Sequence, residues 1–250
     1  MRNISVHNPK HLGDCILTIH FLRKVCEKYN DINFAFYAGK NYLRKVLLQI
    51  GELSDRISLG YLRDRPSDST NMWFASRRLP KDVGRVNRRY ASNERYDCFH
   101  NMVCKDWGID NPVPGKSCTV IDLPSLLNPV GVECDLLFIN SRSRSGYYHY
   151  EGALMIKKAE EWSQKYRVVT AEPTVDSIPS ARQLDLDIIQ IGHLATKAKY
   201  VVAVDTGTIH NCFNKWAMKS VKKWYILSKF TTRTFNDKIQ AIRSIKKVDI

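Results

Sequence analysis

The chain has 250 residues, and 39 Lys and Arg against 25 Asp and Glu leave a formal charge of +14 at neutral pH. Hydrophobic residues at 44% and charged residues at 26% suit a chain that buries a large core and exclude general disorder. No apolar run approaches the roughly 20 residues of a membrane span, and Met1-Arg2-Asn3-Ile4-Ser5 lacks a signal-peptide core, so a cytoplasmic protein is expected.

Taken in chain order, Ile4-Ser5-Val6 is a short strand that runs into the turn Asn8 to Gly13. A helix is predicted from about Asp14, carrying Ile16, Leu17, Phe21 and Val25, with Ile19 and Leu22 widening its apolar face. Ile32 to Tyr37 is the next strand, Tyr42 to Ile50 a helix and Ile57 to Leu59 a third strand, the βαβ rhythm of a parallel sheet. From Arg63 to Asn93 the pattern gives way to a stretch rich in Arg, Ser, Asp and Pro; Tyr96 to Phe99 is read as a strand, and residues 112–131 as a linker zone.

The rhythm restarts with a strand over Asp135 to Ile139, a basic and aromatic loop over Ser141 to Tyr150, a helix over Glu151 to Tyr166 and a strand over Arg167 to Thr170. Ile188 to Ala198 reads as a helix, Tyr200 to Val204 as a buried strand, and Ile209 to Met218 as a helix after the turn Asp205-Thr206-Gly207-Thr208. In the tail, Ile239, Ile242 and Ile245 recur every three residues and predict a packed helix over Asn236 to Ile245. The expected division is 1–130 for an N-terminal Rossmann-like domain, 131–230 for a second one, and 231–250 for a tail packing back on the first. Seven scattered cysteines without a C-x-x-C pair argue against a disulfide framework and against a zinc site, and favour reduced thiols.

In open α/β sheets ligands bind beyond the carboxyl ends of the strands, and one turn in each half has suitable chemistry. In His11-Leu12-Gly13-Asp14, Gly13 allows a tight turn, and Asp14 is either a helix cap or a general base for an attacking hydroxyl. In the second turn the N–H groups of Thr206 and Gly207 and the hydroxyl of Thr208 suit a phosphate, with Asp205 at the strand end. His210 there is either a ligand contact or a structural imidazole.

Leu12-Gly13-Asp14-Cys15-Ile16-Leu17-Thr18, followed by Leu22-Arg23-Lys24, resembles the N-terminal motif of glycosyltransferase family 9, the heptosyltransferase-like enzymes. Ile191 to Ala198, Val201 to Val204 and then Asp205-Thr206-Gly207-Thr208-Ile209-His210 resemble that family's D-[ST]-G-x-x-H element, and Tyr96-Asp97 echoes its first domain. The resemblance implies an α/β protein with two Rossmann-like domains facing across a cleft, the GT-B arrangement in a compact version. It implies an inverting sugar transfer in which Asp14 deprotonates the acceptor hydroxyl, while Asp205, Thr206, Gly207, Thr208 and His210 hold the donor diphosphate and sugar. No metal and no cofactor beyond the nucleotide-sugar co-substrate are expected, helix dipoles and basic side chains stabilising the leaving diphosphate.

The chain departs from that family at Asn211-Cys212-Phe213, where small residues are usual, and Arg142 or Arg144 stands in for a lysine in the loop opening the second domain. The Tyr147-Tyr148-His149-Tyr150 cluster either stacks on the donor or packs beneath a loop. The expected partners are a nucleotide-sugar donor and a glycan or glycolipid acceptor, with acidic character of the acceptor in keeping with the charge. Lys215, Lys219, Lys222, Lys223 and Trp224, or the tail Arg243 to Lys247, offer contact with an anionic membrane. The alternative is a nucleic-acid-binding protein using Arg77 to Arg95 with Trp73, Phe74 and Tyr90. It leaves both turns without a purpose, so nucleic acid is not the expected partner.

Overall fold

The computed structural model describes residues 1–10, 12–39, 47, 54–73, 93–115, 120–122, 130–143, 148–229, 234–236 and 238–250, with the backbone alone for 93–95 and 234–236. The chain divides into two compact units, Met1–Leu123 and Pro124–Ile250. The helix expected over Tyr42 to Ile50 lies outside the described residues apart from helical Leu47.

The first unit holds β1 (Arg2–Asn8), α1 (Leu12–Lys28), β2 (Ile32–Ala38), β3 (Ile57–Tyr61), β4 (Thr70–Asn71) and α2 (Asn93–Asp106). Its sheet is parallel with the order β3-β2-β1-β4, β1 facing β2 from Arg2↔Ile32 to Asn8↔Ala38. β4 was not foreseen, since its two residues, paired with Val6 and His7, are too short to carry a period.

Tyr96 to Phe99, expected as a strand, instead belongs to α2. The buried positions Tyr96, Phe99, His100, Val103, Cys104 and Trp107 recur at helical spacing, a pattern that four residues are too few to reveal. The ring of His100 stacks on that of Phe21 in α1, with centroids 3.9 Å apart and planes 12° apart.

The second unit holds β5 (Leu136–Ile139), α3 (Gly152–Ser163), β6 (Val168–Thr170), α4 (Ile188–Lys197), β7 (Tyr200–Val204), α5 (Ile209–Cys212), α6 (Ala217–Ser220), β8 (Lys223–Leu227), β9 (Thr234–Asn236) and β10 (Ile239–Ile242). The sheet order is β6-β5-β7-β8-β10-β9, parallel except for β9 against β10. Leu137, Ile139, Val201, Ala203, Trp224 and Ile226 pack on one face with Leu194 of α4. Leu136, Phe138, Val202, Val204, Tyr225 and Leu227 pack on the other with Met155, Ala159 and Trp162 of α3. Cover on both faces explains why these strands are unbroken apolar runs.

The tail differs from its expected helix. Ile239 and Ile242 lie in β10 and Ile245 in a short 3-10 turn. Their triplet spacing works in this strand because Ile239 serves one face of the sheet and Ile242 the other, where Ile245 joins it. The helix expected over Ile209 to Met218 is two separate turns, α5 and α6. Fully buried Asn214 breaks it: Nδ2 donates to the carbonyls of Gly192 at 3.2 Å and Asn211 at 3.0 Å, and Oδ1 accepts the Ala217 N–H at 2.8 Å.

α4 starts with a reciprocal capping box, the Asp187 carboxylate accepting the Gln190 N–H at 2.8 Å and the Gln190 side chain accepting the Asp187 N–H at 2.9 Å. Asp187→Ala is expected to lower stability by about 1 kcal/mol, read as a lower urea midpoint with an unchanged slope.

Candidate functional site

In the first unit the chain passes from β1 to β2 on one side and reaches β4 on the other, so the topological switch point lies between the carboxyl ends of β1 and β4. Gly13 and Asp14 sit there, in the first turn of α1. Gly13 is buried inside the helix and is not among the left-handed glycines, which within the described residues are Gly108 and Gly115; the tight turn expected of it is not what it provides. The close approach falls on Gly39 instead, where a side-chain Cβ would meet the Pro9 carbonyl oxygen at 3.2 Å.

Asn8, fully buried at the end of β1, organises the turn. Its Nδ2 donates to the carbonyl of Asp14 at 3.3 Å and to the Thr18 hydroxyl at 3.0 Å, and lies 3.4 Å from the Met72 carbonyl. The Thr18 hydroxyl donates to the Asp14 carbonyl at 2.8 Å. The half-buried Asp14 side chain accepts a hydrogen bond on Oδ1 from the Tyr96 hydroxyl at 3.3 Å. Lys10 Nζ lies 4.0 Å from the ring centroid of Trp73, just beyond β4. Sequence reasoning missed Asn8 as an organiser and placed Tyr96 on the wrong element; α2 delivers Tyr96 to Asp14 because His100, one turn along the same face, stacks on Phe21 of α1.

In the second unit β6 lies to one side of β5, while β7, β8 and β10 follow on the other. The switch point is therefore between the carboxyl ends of β5 and β7, and the expected donor residues leave those two strands. Asp205 continues the ladder through its N–H to the Leu227 carbonyl at 3.1 Å, and its Oδ2 accepts the Ser228 hydroxyl at 3.1 Å. Ser228, at the end of a strand that sequence reasoning did not identify, fixes that carboxylate. The Thr206 and Gly207 carbonyls accept the N–H groups of Ile209 and His210, each at 3.3 Å, and Thr206 Oγ1 is buried without a hydrogen-bond partner among the described residues. Thr208 and His210 are half-buried beside them. The single turn of α5 is too short to supply the sustained helix dipole that the sequence suggested.

From β5, buried Asn140 clamps the neighbouring strand end, donating to the Glu172 carbonyl at 2.9 Å and accepting its N–H at 2.8 Å. Arg142 is exposed on the loop that follows. Tyr148 is buried and donates to Glu151, so it packs rather than stacks on a ligand. Glu151 also accepts the Ser244 hydroxyl at 3.0 Å and the Ile245 N–H at 3.2 Å, joining the start of α3 to the chain's end. Burial raises the Glu151 pKa, but these donors outweigh it and hold the carboxyl below its ordinary value.

His11, Arg144 and Tyr147 lie outside the described residues, as does nearly all of Arg77 to Arg95, on which the nucleic-acid reading rested. Trp224, expected on a basic surface, is fully buried. The described cysteines are free thiols, all buried but half-exposed Cys98. Among the described residues no group of three His, Cys, Asp or Glu side chains is placed to hold a metal ion.

No protein-family model and no curated protein sequence matches the chain. Solved structures do. E. coli heptosyltransferase WaaC with ADP-2-deoxy-2-fluoro heptose matches 97% of this chain and 93% of its own at a TM-score of 0.60 and 12% identity. The family 9 glycosyl transferase of Veillonella parvula matches 99% and 88% at a TM-score of 0.56 and 12% identity. The dodecameric iron-containing heptosyltransferase TibC, in complex with ADP-D-beta-D-heptose, matches 95% and 62% at a TM-score of 0.54 and 12% identity. The chain thus has the fold of heptosyltransferases and of a family 9 glycosyltransferase, the family that its two turns resemble.

Proposed function

We propose that this chain is an inverting glycosyltransferase that moves a sugar from a nucleoside-diphosphate donor to a glycan or glycolipid hydroxyl. The observation that carries the reading is the placement of its two motifs: each lies at the switch point of its own parallel sheet, Gly13-Asp14 beside β1 and Asp205 to Thr208 beside β7. Two unrelated accidents of sequence have no reason to fall both at the switch points of their sheets, where ligands bind in open α/β folds.

In this reaction the acceptor hydroxyl oxygen attacks the anomeric carbon from the face opposite the diphosphate. The carbon–oxygen bond to phosphate breaks, and the nucleoside diphosphate leaves with the electron pair. Asp14 takes the hydroxyl proton, and Tyr96, bonded to Oδ1, leaves Oδ2 to receive it. On the donor side Thr206, Gly207 and Thr208 bind phosphate oxygens, the orphaned Thr206 hydroxyl gaining an acceptor, and Arg142 adds charge by forked hydrogen bonding. Asp205, fixed by Ser228, and His210 contact the donor sugar or its phosphate. Diphosphate stabilisation rests on these groups, with no metal or further cofactor, in a cytoplasmic enzyme.

ADP-linked sugars are the first donors to try, since WaaC and TibC were solved with ADP-heptose compounds. A thermal-shift series with ADP-, UDP-, GDP- and dTDP-linked sugars, with and without EDTA, tests the reading. At a hundredfold excess over Kd a bound donor adds about 2.7 kcal/mol, so one nucleotide is expected to raise the melting temperature by several degrees, unchanged by EDTA. No shift with any donor overturns the proposal, and a shift abolished by EDTA overturns its metal-free part.

A further inference from the structure

All strands of the second sheet except β9 point one way, so the residues that enter β6, β5, β7, β8 and β10 share one edge, opposite the Asn140 and Asp205 edge. Backbone bonds fix that row. The Asp135 N–H donates to the Arg167 carbonyl at 2.9 Å, that of Lys199 to Asp135 at 2.8 Å, that of Lys222 to Lys199 at 2.8 Å, and that of Trp224 to Lys238 at 2.7 Å. Lys238 Nζ reaches the Lys219 carbonyl of α6 at 3.4 Å. Arg167, Lys199, Lys219, Lys222, Lys223 and Lys238 are thereby gathered on one rim, against Glu133 and Asp135 among the described residues. Both carboxylates stand at its far end: Asp135 pairs with Arg167 at 2.6 Å and with Lys199 at 3.0 Å, and Glu133 with Arg167 at 3.0 Å. Toward β8 and β10, Lys219 and Lys222 are exposed.

We propose that this amino-terminal edge docks on an anionic lipid bilayer. A row of cations entering adjacent strands meets a planar array of negative headgroups at several points together, each lysine near such a surface adding to the attraction. The rim is lysine in all but Arg167, and the ammonium group acts as a hydrated point charge suited to a diffuse anionic surface. A nucleic acid would call for arginine forks and exposed aromatic platforms, whereas the one arginine, Arg167, is paired with Asp135 and Glu133, Trp224 is fully buried, and Tyr166 and Tyr200 pack edge-on against each other. Docking here leaves the carboxyl edge, with Asp205 and the loop after β5, clear of the bilayer plane. The inference does not depend on the catalytic reading. It moves the membrane contact away from Trp224 and from the tail Arg243 to Lys247, which follows the opposite end of β10.

The test is co-sedimentation of the full chain with phosphatidylcholine vesicles and with equimolar phosphatidylcholine–phosphatidylglycerol vesicles, over a salt series. The wild type is expected to bind the anionic vesicles alone, with affinity falling as salt rises. Lys219→Glu/Lys222→Glu is expected to weaken that binding on the order of tenfold or more. Lys246→Glu/Lys247→Glu, the same change of net charge beyond the other edge, is expected to retain most of it. Melting curves confirm that both variants fold. Absence of binding, equal binding to neutral vesicles, or equal loss in the two variants overturns the proposal. So does tighter binding of an oligonucleotide through the same two lysines.

Discussion

Asp14→Ala is expected to leave the melting curve and the donor-induced thermal shift intact while lowering sugar transfer by roughly 10²–10⁴-fold, the usual contribution of a positioned general base. The fold should survive because the turn is held through the Asp14 backbone carbonyl, bonded by Asn8 and Thr18, and not through its carboxylate. Tyr96→Phe removes the hydroxyl that donates to Oδ1, and with it the hydrogen bond that orients the carboxylate. It is therefore expected to cost roughly tenfold in turnover, with donor binding unchanged. The measurement is release of nucleoside diphosphate from the donor that gives the thermal shift, with and without acceptor. Unimpaired transfer by Asp14→Ala sinks the base assignment, while a lost thermal shift would place Asp14 on the donor instead.

The second large effect is a loss of stability in acid set by two buried imidazoles. His20 and His100 are 1% and 2% exposed. Both nitrogens of His20 and Nδ1 of His100 are without hydrogen-bond partners among the described residues. Burial, reinforced by Lys24 and Arg23 against a smaller opposite pull from Asp122, lowers the His20 pKa from 6.5 to about 4. Burial, with His20 beside it, lowers that of His100 to about 3. The unfolded chain thus takes up protons below 6.5 that the folded chain refuses. The contribution is complete above that pH and is lost as pH falls toward these folded values, each unit of difference amounting to about 1.4 kcal/mol.

Asp135 and Glu151, whose carboxyls are held below their ordinary values by Arg167 and by Tyr148, Ile245 and Ser244 respectively, also lose stability in acid. The informative quantity is therefore a difference between proteins. His20→Leu/His100→Phe is expected to match or exceed the wild-type melting temperature at neutral pH, and its advantage should widen steadily as pH falls from 6.5 toward 4. A constant difference across that range would show that the two imidazoles do not carry the effect.

Much of this was legible because it is local. Leu136 to Ile139 and Tyr200 to Val204 are strands in the sequence and in the structure, since an unbroken apolar run of that length suits a sheet covered on both faces. The two candidate turns were visible for the same reason: Gly13-Asp14 lies in the first helical turn after β1, Asp205 to Thr208 directly follows β7, and both are short runs of neighbouring residues. The resemblance to glycosyltransferase family 9 rested on those short motifs, and the fold agrees with it at 12% identity.

What the sequence by itself determined, then, was the βαβ alternation, the two-unit α/β class and where along the chain the two strand-to-helix turns fall, all properties of neighbours along the chain. Only the tertiary structure decided the rest. Tyr96 became a partner of Asp14 because α2 docks on α1 through the stacked pair of Phe21 and His100. Ile239 and Ile242 became strand residues because the sheet buries both its faces, so that either side chain direction finds a core. Arg167 and lysines from four other segments became one rim because parallel strands start on a common edge. Each depends on residues far apart in the chain, and spacing along one segment cannot encode where another segment will come to lie.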